Sequence, residues 1–324
     1  MGAHLECADI TEARLEGADI GQGYLQQADL SWARFQEGSL FQAQLKGAIL
    51  RWVRLDRVDL RGANLENADL CHAALGGAYL ENVILCSKEH HGPLLADVEW
   101  MNVNLAIVDW SQGMILGDEQ KAKQKEINGK KKTREQQILN YESAVRATRQ
   151  LAVVLQNQGL NEEAANFAYR AQVHQKTVFW LQMTQKTKSL MNLGLHTWNK
   201  RLVYRIQKSN IWLFSWFLYL LAGYGYKLGR SFLAYLFVII GFATSYYLLG
   251  LHDVVGPHHV FGPYHLTWYE AIVVSMTAFH GRGFFANQFQ PGDPQAFVAA
   301  LEAFVGLVIE VTFISTLTRR LFGQ

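Results

Sequence analysis

Five consecutive residues near the C-terminal end combine chemistry with backbone freedom: Phe279-His280-Gly281-Arg282-Gly283. The two glycines permit irregular turns, and Arg282 between them carries a permanent positive charge. They close an apolar stretch, TWYEAIVVSMTAF, that begins at Thr267. Thr267 with Glu270 three residues on is a capping-box start for a helix of about twelve residues. At ~1.5 Å per residue such a helix is about 18 Å long, enough to enter a bilayer halfway and not to cross it. Further on, Glu302 and Glu310 fall on roughly one helix face, with Gly306 midway, inside another apolar run. The chemistry these residue types suit is the handling of ions in a low-dielectric setting.

Each of them has two readings. A half helix ends with its carbonyls toward the bilayer centre, a partial negative charge that suits a cation. Arg282 fills that place as a tethered cation, and four of them round an axis repel cations and admit anions; alternatively, it holds the loop by pairing with Glu270 or Glu302. A charge at the bilayer centre costs about 2.5–3.5 kcal/mol on insertion scales, so Glu302 and Glu310 either line water or pair between helices. Gly306 is a hinge or a small residue for close helix packing. Glu270 reads as a cap rather than a conductor. His252, His258, His259, His265 and His280 crowd the same region, as scattered loop histidines or as a pH sensor.

The elements that must position these groups are two long apolar segments. Phe232–Leu251 is uncharged and, at ~1.5 Å per residue, about 30 Å long, the thickness of a hydrocarbon core. Ala296–Thr318 is also long enough to span, and it carries Glu302 and Glu310. The basic residues Lys227 and Arg230 before the first span, and Arg319 and Arg320 after the second, put both termini in the cytoplasm. The expected location is the inner (plasma) membrane. Residues 211–223 are apolar but short and flanked by basic clusters on both sides. They suit an interfacial helix within a 201–230 membrane approach, with a third span as the alternative.

The order of span, half helix with Trp268-Tyr269-Glu270-Ala271, Gly-x-Gly loop, and span with Glu302 and Gly306 resembles the two-helix pore domain of tetrameric cation channels. The resemblance covers roughly residues 225–320, within a 231–324 pore module. It implies a re-entrant pore helix and a homo-tetramer, because one two-helix module cannot enclose a pore. It does not carry over potassium selectivity: the family's T-x-G-Y-G filter followed by Asp is replaced here by Phe279-His280-Gly281-Arg282-Gly283 and then Phe284-Phe285.

The N-terminal part has a different pattern. Leu or a near equivalent falls at every multiple of five from Leu5 to Leu85, and a small residue stands two before each. Neither the helical period of 3.6 nor the strand period of 2 accounts for a repeat of five. Four units make a square coil of about twenty residues with both positions pointing inward, and coils stack at ~4.8 Å. Ala28-Asp29-Leu30, Ala63-Asn64-Leu65 and Ala68-Asp69-Leu70 match the motif A-(D/N)-L-x-x, and the stretch resembles the pentapeptide-repeat family. That resemblance implies a right-handed quadrilateral β-helix over residues 1–117. Inward Ala68 should tolerate no charge, whereas Glu66 should point outward and be free to change. The repeat fails at Lys88-Glu89-His90-His91 and returns in register with Val98 and Trp100, Val103 and Leu105, Val108 and Trp110.

Residues 118–133 are polar and lysine-rich and read as a flexible linker. No aromatic interleaves the lysines, so no nucleic-acid partner is expected. Residues 134–200 read as a helical hairpin broken at Gly159-Leu160-Asn161, with Asn161 capping the second helix. The run Gly159-x-x-Glu162-x-Ala164-x-x-Phe167 looks like a tetratricopeptide-type helix pair, which should pack on a neighbour.

The fold class is therefore mixed: solenoid, helical middle, helical membrane part. Residues 1–117 hold 8 Lys/Arg and 16 Asp/Glu, a net of −8; residues 118–210 hold 17 and 7, a net of +10. Anionic lipid heads would attract the second stretch. The three cysteines show no metal-ligand spacing and suit a reducing compartment. No nucleophile–base pair, phosphate loop or metal spacing is present, so neither enzyme activity, nor a cofactor, nor a metal is expected. The expected partners are the lipid bilayer, further copies of the chain and a protein on the solenoid. The alternative function is a membrane-anchored scaffold that does not conduct.

Overall fold

The computed structural model describes residues 2–86, 91–110, 115–127, 129–185, 198–250, 266–281 and 294–322. The chain divides into two compact units, Met1–Phe214 and Ser215–Gly323.

The first unit opens with the solenoid. Parallel bridges join residues twenty apart, His4 to Tyr24, Asp9 to Asp29, Arg14 to Arg34 and Asp19 to Ser39, and the pattern repeats down the stack. Down the stack inward Leu residues donate their N–H to the next coil, as Leu25 does to Gln44 at 2.9 Å and Leu45 to Asn64 at 2.9 Å. From Leu25 onward the inward Leu, Ala and Val side chains are buried in one continuous core, with Val83 half-buried against it. The acidic position of the motif has a local cause. Asp19, Asp29, Asp59, Asn64 and Asp69 each accept from the backbone N–H two residues on, at 2.9–3.2 Å, and so hold the corner of the coil. After Asn64 to Ile84 the offset grows, and Asp69 bridges Leu94. Five extra residues thus enter one face while the register survives, as the sequence predicts.

Glu66 differs from expectation. It points out of the coil, yet it is buried, with Lys46 at 3.9 Å. An outward position in the repeat is not the same as an open one, and Glu16 is an exposed alternative.

The segment expected as a flexible linker is folded. Helix α1, Gly117–Lys123, is followed by a small antiparallel pair, β1 Glu126–Ile127 and β2 Lys130–Lys131. Its polar residues are anchors: the Asp118 carboxylate accepts from Leu95 N–H at 2.6 Å, and Glu119 meets Arg170 at 3.0 Å and His174 at 2.7 Å. These partners lie more than twenty residues away in sequence, so local composition reads as a linker.

Helices α2, Arg134–Asn157, and α3, Asn161–Met183, form the hairpin. Thr133 and Gln136 make a reciprocal capping box at the start of α2. Gly159 takes a positive φ of 79° and ends α2. The turn is so tight that Leu160 is the N-cap of α3 and Asn161 its first helical residue, one position earlier than the sequence suggests. The hairpin closes the solenoid. Gln158 accepts from Leu105 N–H at 2.7 Å and donates to the Val103 carbonyl at 2.6 Å; Gln150 accepts from Asp97 N–H at 3.0 Å. These amide side chains satisfy the backbone edge that another coil would otherwise cover. Leu151, Leu155 and Phe167 complete the apolar layer, with Phe167 edge-on to Trp110 at 5.7 Å.

This closure sets a pH dependence. Asp118 is 2 % exposed, and burial pushes its carboxyl up to about 7. A carboxyl raised in the folded state penalises folding as pH rises from the unfolded value, about 3.9, through 7. Burial alone would raise Glu119 as well, but its hydrogen bonds to His174 and Arg170 prevail and hold it at about 2. Its contribution is present above the unfolded value, about 4.3, and is lost on acidification toward 2. Asp118→Asn keeps an acceptor for Leu95. It should raise the melting temperature of this unit at pH 8, by a stabilisation of about 4 kcal/mol, and change little at pH 4. Equal gains at both pH values would refute a buried carboxylate as the cause.

Helix α4, Trp198–Ala222, runs from the end of the first unit into the second. Its apolar residues Leu213, Phe214, Trp216 and Phe217 are exposed. A single turn at Gly223–Gly225 follows, in which Tyr224 has a φ of 59°. The second unit continues with α5, Leu228–Gly250, the short α6, Trp268–Phe279, and α7, Pro294–Phe322. Two stretches, Gly229–Leu249 and Gln295–Thr318, are long and apolar enough to cross a membrane. Helix α6 packs against both of these helices.

Candidate functional site

The site is built where α5, α6 and α7 meet. Glu302, on α7, is 0 % exposed. The Tyr246 hydroxyl on α5 donates to one of its oxygens at 2.9 Å. The Ser275 hydroxyl on α6 meets the other oxygen and lies 2.9 Å from the Ile239 carbonyl of α5. One carboxyl group thus fastens all three helices. Around it the usual order of a soluble protein is reversed: Phe237 is 73 % exposed and Phe297 72 %, while Glu302, Ser275 and Tyr246 are buried. A helix with its polar groups inward and its apolar face outward is suited to lipid, because hydrocarbon satisfies no polar group.

The short helix is fixed at both ends. Thr267 donates from its N–H at 2.8 Å and its hydroxyl at 2.7 Å to Glu270. At the other end the His280 ring nitrogen Nδ1 donates to the Met276 carbonyl at 2.7 Å, and Gly281 N–H donates to Ala278 at 2.9 Å. Gly281 has a φ of 65°, the left-handed region that glycine enters without strain.

Phe279 turns into the core. It is buried among Leu221, Ile239 and Ile309 and lies edge-on to Tyr235 at 4.8 Å. Gly306 explains how close this end of α6 comes to α7: a Cβ at 306 would strike the Phe279 carbonyl oxygen. Gly306 therefore serves close packing at this point. Glu310, one turn on, reaches His280 at 3.5 Å.

The sequence-predicted residues that the structure describes thus divide into three groups. Phe279, His280, Gly281, Gly306 and Glu310 come together at the end of α6. Thr267 and Glu270 sit at its start, and Glu302 lies between. Arg282 and Gly283 lie outside the described residues, as do His252, His258, His259 and His265. Glu302 pairs with Tyr246 and Ser275, two residues that sequence reasoning passed over. Their signal was a hydroxyl inside an uninterrupted apolar run, opposite a run with a carboxylate.

Comparison with known proteins bears on the first unit. A family model described as pentapeptide repeats matches residues 13–51, 24–62 and 48–86. The N-terminal region is a pentapeptide-repeat domain. Solved structures similar to it include the following three. One is a pentapeptide repeat protein of the Arabidopsis thaliana thylakoid lumen, at 27% identity over 30% of this chain and 68% of that one, with a TM-score of 0.24. A second, from the cyanobacterium Cyanothece 51142, has 30% identity over 30% and 56%, with a TM-score of 0.17. The third, from Nostoc, has 32% identity over 30% and 84%, with a TM-score of 0.22. No curated protein matches the chain. The pentapeptide repeats thus account for the five-residue period, the coil and the corner aspartates.

Proposed function

We propose that the chain is an ion-channel-like membrane protein. Four copies enclose a pore through residues 231–320, and the pentapeptide-repeat domains serve regulation or partner binding on the cytoplasmic side. The observation that supports this most is the fastening of a half-length helix by a buried carboxyl group between two span-length helices. An anchor for a scaffold has no use for such a helix; a pore does, because the helix aims its carbonyl end at the axis. The first span crosses outward, α6 enters and returns through Phe279–Gly283, and the second span crosses back, in an inner (plasma) membrane with both termini cytoplasmic. No chemical step is assigned to the protein. A monomer by mass photometry in nanodiscs, where four copies are expected, would contradict the assembly.

Selectivity follows from the Gly281-Arg282-Gly283 run. A ring of permanent charges at the narrowest point, in a low-dielectric setting, acts strongly on passing ions. The pore is therefore not potassium-selective; it passes anions or stays shut at rest. Arg282→Tyr removes the charge and leaves the helix dipoles facing the axis, which favours cations. Reversal potentials across a KCl gradient should move toward the potassium equilibrium potential in this variant. A wild type that already prefers potassium over chloride and sodium would overturn the assignment.

A further inference from the structure

One face of the solenoid carries arginines in a column. Parallel bridges set Arg14 opposite Arg34 and Arg34 opposite Arg54, so the three rise one coil at a time, ~4.8 Å apart at the backbone. All three are exposed. The other arginines of the coils are paired: Arg51 with Asp69 at 2.6 Å, Arg57 with Glu37 at 2.5 Å and Arg61 with Asp59 at 2.7 Å. Among the described residues, no carboxylate pairs with Arg14, Arg34 or Arg54. Like charges directly opposite one another on a sheet are destabilising. Three in a row, in a stretch of net charge −8, is an arrangement that folding does not require.

A second column runs beside the first. Trp32 and Trp52 stand two residues before Arg34 and Arg54, at most ~7 Å away along the chain. Trp32 stacks on Trp52 with ring centroids 5.0 Å apart, and Trp52 on His72 at 4.0 Å. Both tryptophans are exposed. The face therefore offers a positive stripe and an aromatic stripe side by side, both along the solenoid axis.

We propose that this face binds an extended, acidic segment of a partner protein, in which acidic and apolar residues alternate. In an extended chain successive side chains point to opposite sides, and every second one recurs after about 6.7 Å. Laid along the axis between the two columns, such a segment turns its carboxylates to the arginines and its apolar side chains to the tryptophans. The arginine column spans two coil spacings, about 10 Å, which is room for two carboxylates. Guanidinium groups suit carboxylates because they offer paired N–H donors. The proposal rests on the partner-binding role given to the solenoid above and does not depend on conduction.

Other polyanions fit less well. Single-stranded nucleic acid stacks its bases on open aromatic faces, and both faces of Trp52 are covered, by Trp32 and by His72. A phospholipid surface is broad, whereas this positive stripe is one column wide. The neighbouring face on one side carries Asp9, Asp29 and Asp69, and that on the other side Asp19 and Asp59. These repel an anionic surface, and a single extended strand is narrow enough to avoid them.

The test uses the full chain in phosphatidylcholine nanodiscs and a fluorescein-labelled octapeptide of alternating glutamate and valine, read by fluorescence anisotropy. The peptide should bind saturably, and less tightly as salt is added. Arg34→Gln should weaken binding about fivefold, the upper value for an exposed ion pair, and changing Arg14, Arg34 and Arg54 together to Gln should abolish it. Arg57→Gln, where Glu37 already holds the charge, should leave it unchanged. Arg34→Gln should also keep or raise the melting temperature of the first unit, because it relieves repulsion. Five results would each overturn the site: no binding, equal binding by the triple variant, equal binding of a peptide with the same residues in two blocks, displacement by oligothymidylate or phosphatidylglycerol vesicles, or a lower melting temperature in Arg34→Gln. If the peptide fails to bind, capture from a lysate separates the two readings. A protein held equally by the wild type and the triple variant leaves the solenoid its partner-binding role and removes only this site; no captured protein removes both.

Discussion

Ala68→Glu unfolds the solenoid, and Glu16→Lys leaves its melting where it was. Ala68 is 0 % exposed and faces the stacked Leu column between coils. A carboxylate there has no partner and no water, a penalty of several kcal/mol, against a domain stability of roughly 5–15 kcal/mol. The loss propagates because adjacent coils are hydrogen-bonded to each other: the Ala68 carbonyl accepts from Leu94 N–H at 2.9 Å, so a displaced coil leaves its neighbours' groups unpaired as well. Far-ultraviolet circular dichroism and limited proteolysis of the full chain in detergent read the outcome. If the two variants melt alike, the inward register is misassigned.

Gly306→Ala abolishes the current of the Arg282→Tyr variant while both span-length helices still insert. The added methyl falls on the Phe279 carbonyl oxygen, and neither backbone can give way without moving α6 off α7. Overpacking of this kind costs roughly 1–3 kcal/mol, and the displaced end of α6 is the base of the proposed filter. A hinge at this position gives a different result: Ala would alter opening and leave the current through an open pore intact. Unchanged unitary current when Gly306→Ala is added to Arg282→Tyr would show that the contact with Phe279 is not needed.

These two sites also show what the sequence discloses. The five-residue repeat is self-announcing, because every inward position is stated seventeen times and the stacking is between neighbours in sequence. The two span-length helices and the short helix between them are legible from length and apolar content. The contacts that fasten them are not. Gln158 becomes a cap only because α2 folds back on Val103 and Leu105, and nothing local marks it. Asp118 and Glu119 look like linker residues until Leu95, Arg170 and His174 come to meet them. Glu302 stands out as a carboxylate in an apolar run, but its partners follow from which turns of α5 and α6 face α7, a question of helix rotation that periodicity alone leaves open.

The most direct measurement of the central claim is ionic current through purified protein in a planar bilayer, with wild type and Arg282→Tyr compared after nanodisc controls show that both are inserted and assembled. The account predicts discrete current steps in Arg282→Tyr, with a cation preference that the wild type lacks. Silence from both proteins, under solutions in which a known channel conducts in the same bilayer, would contradict it and leave the second unit as an anchor.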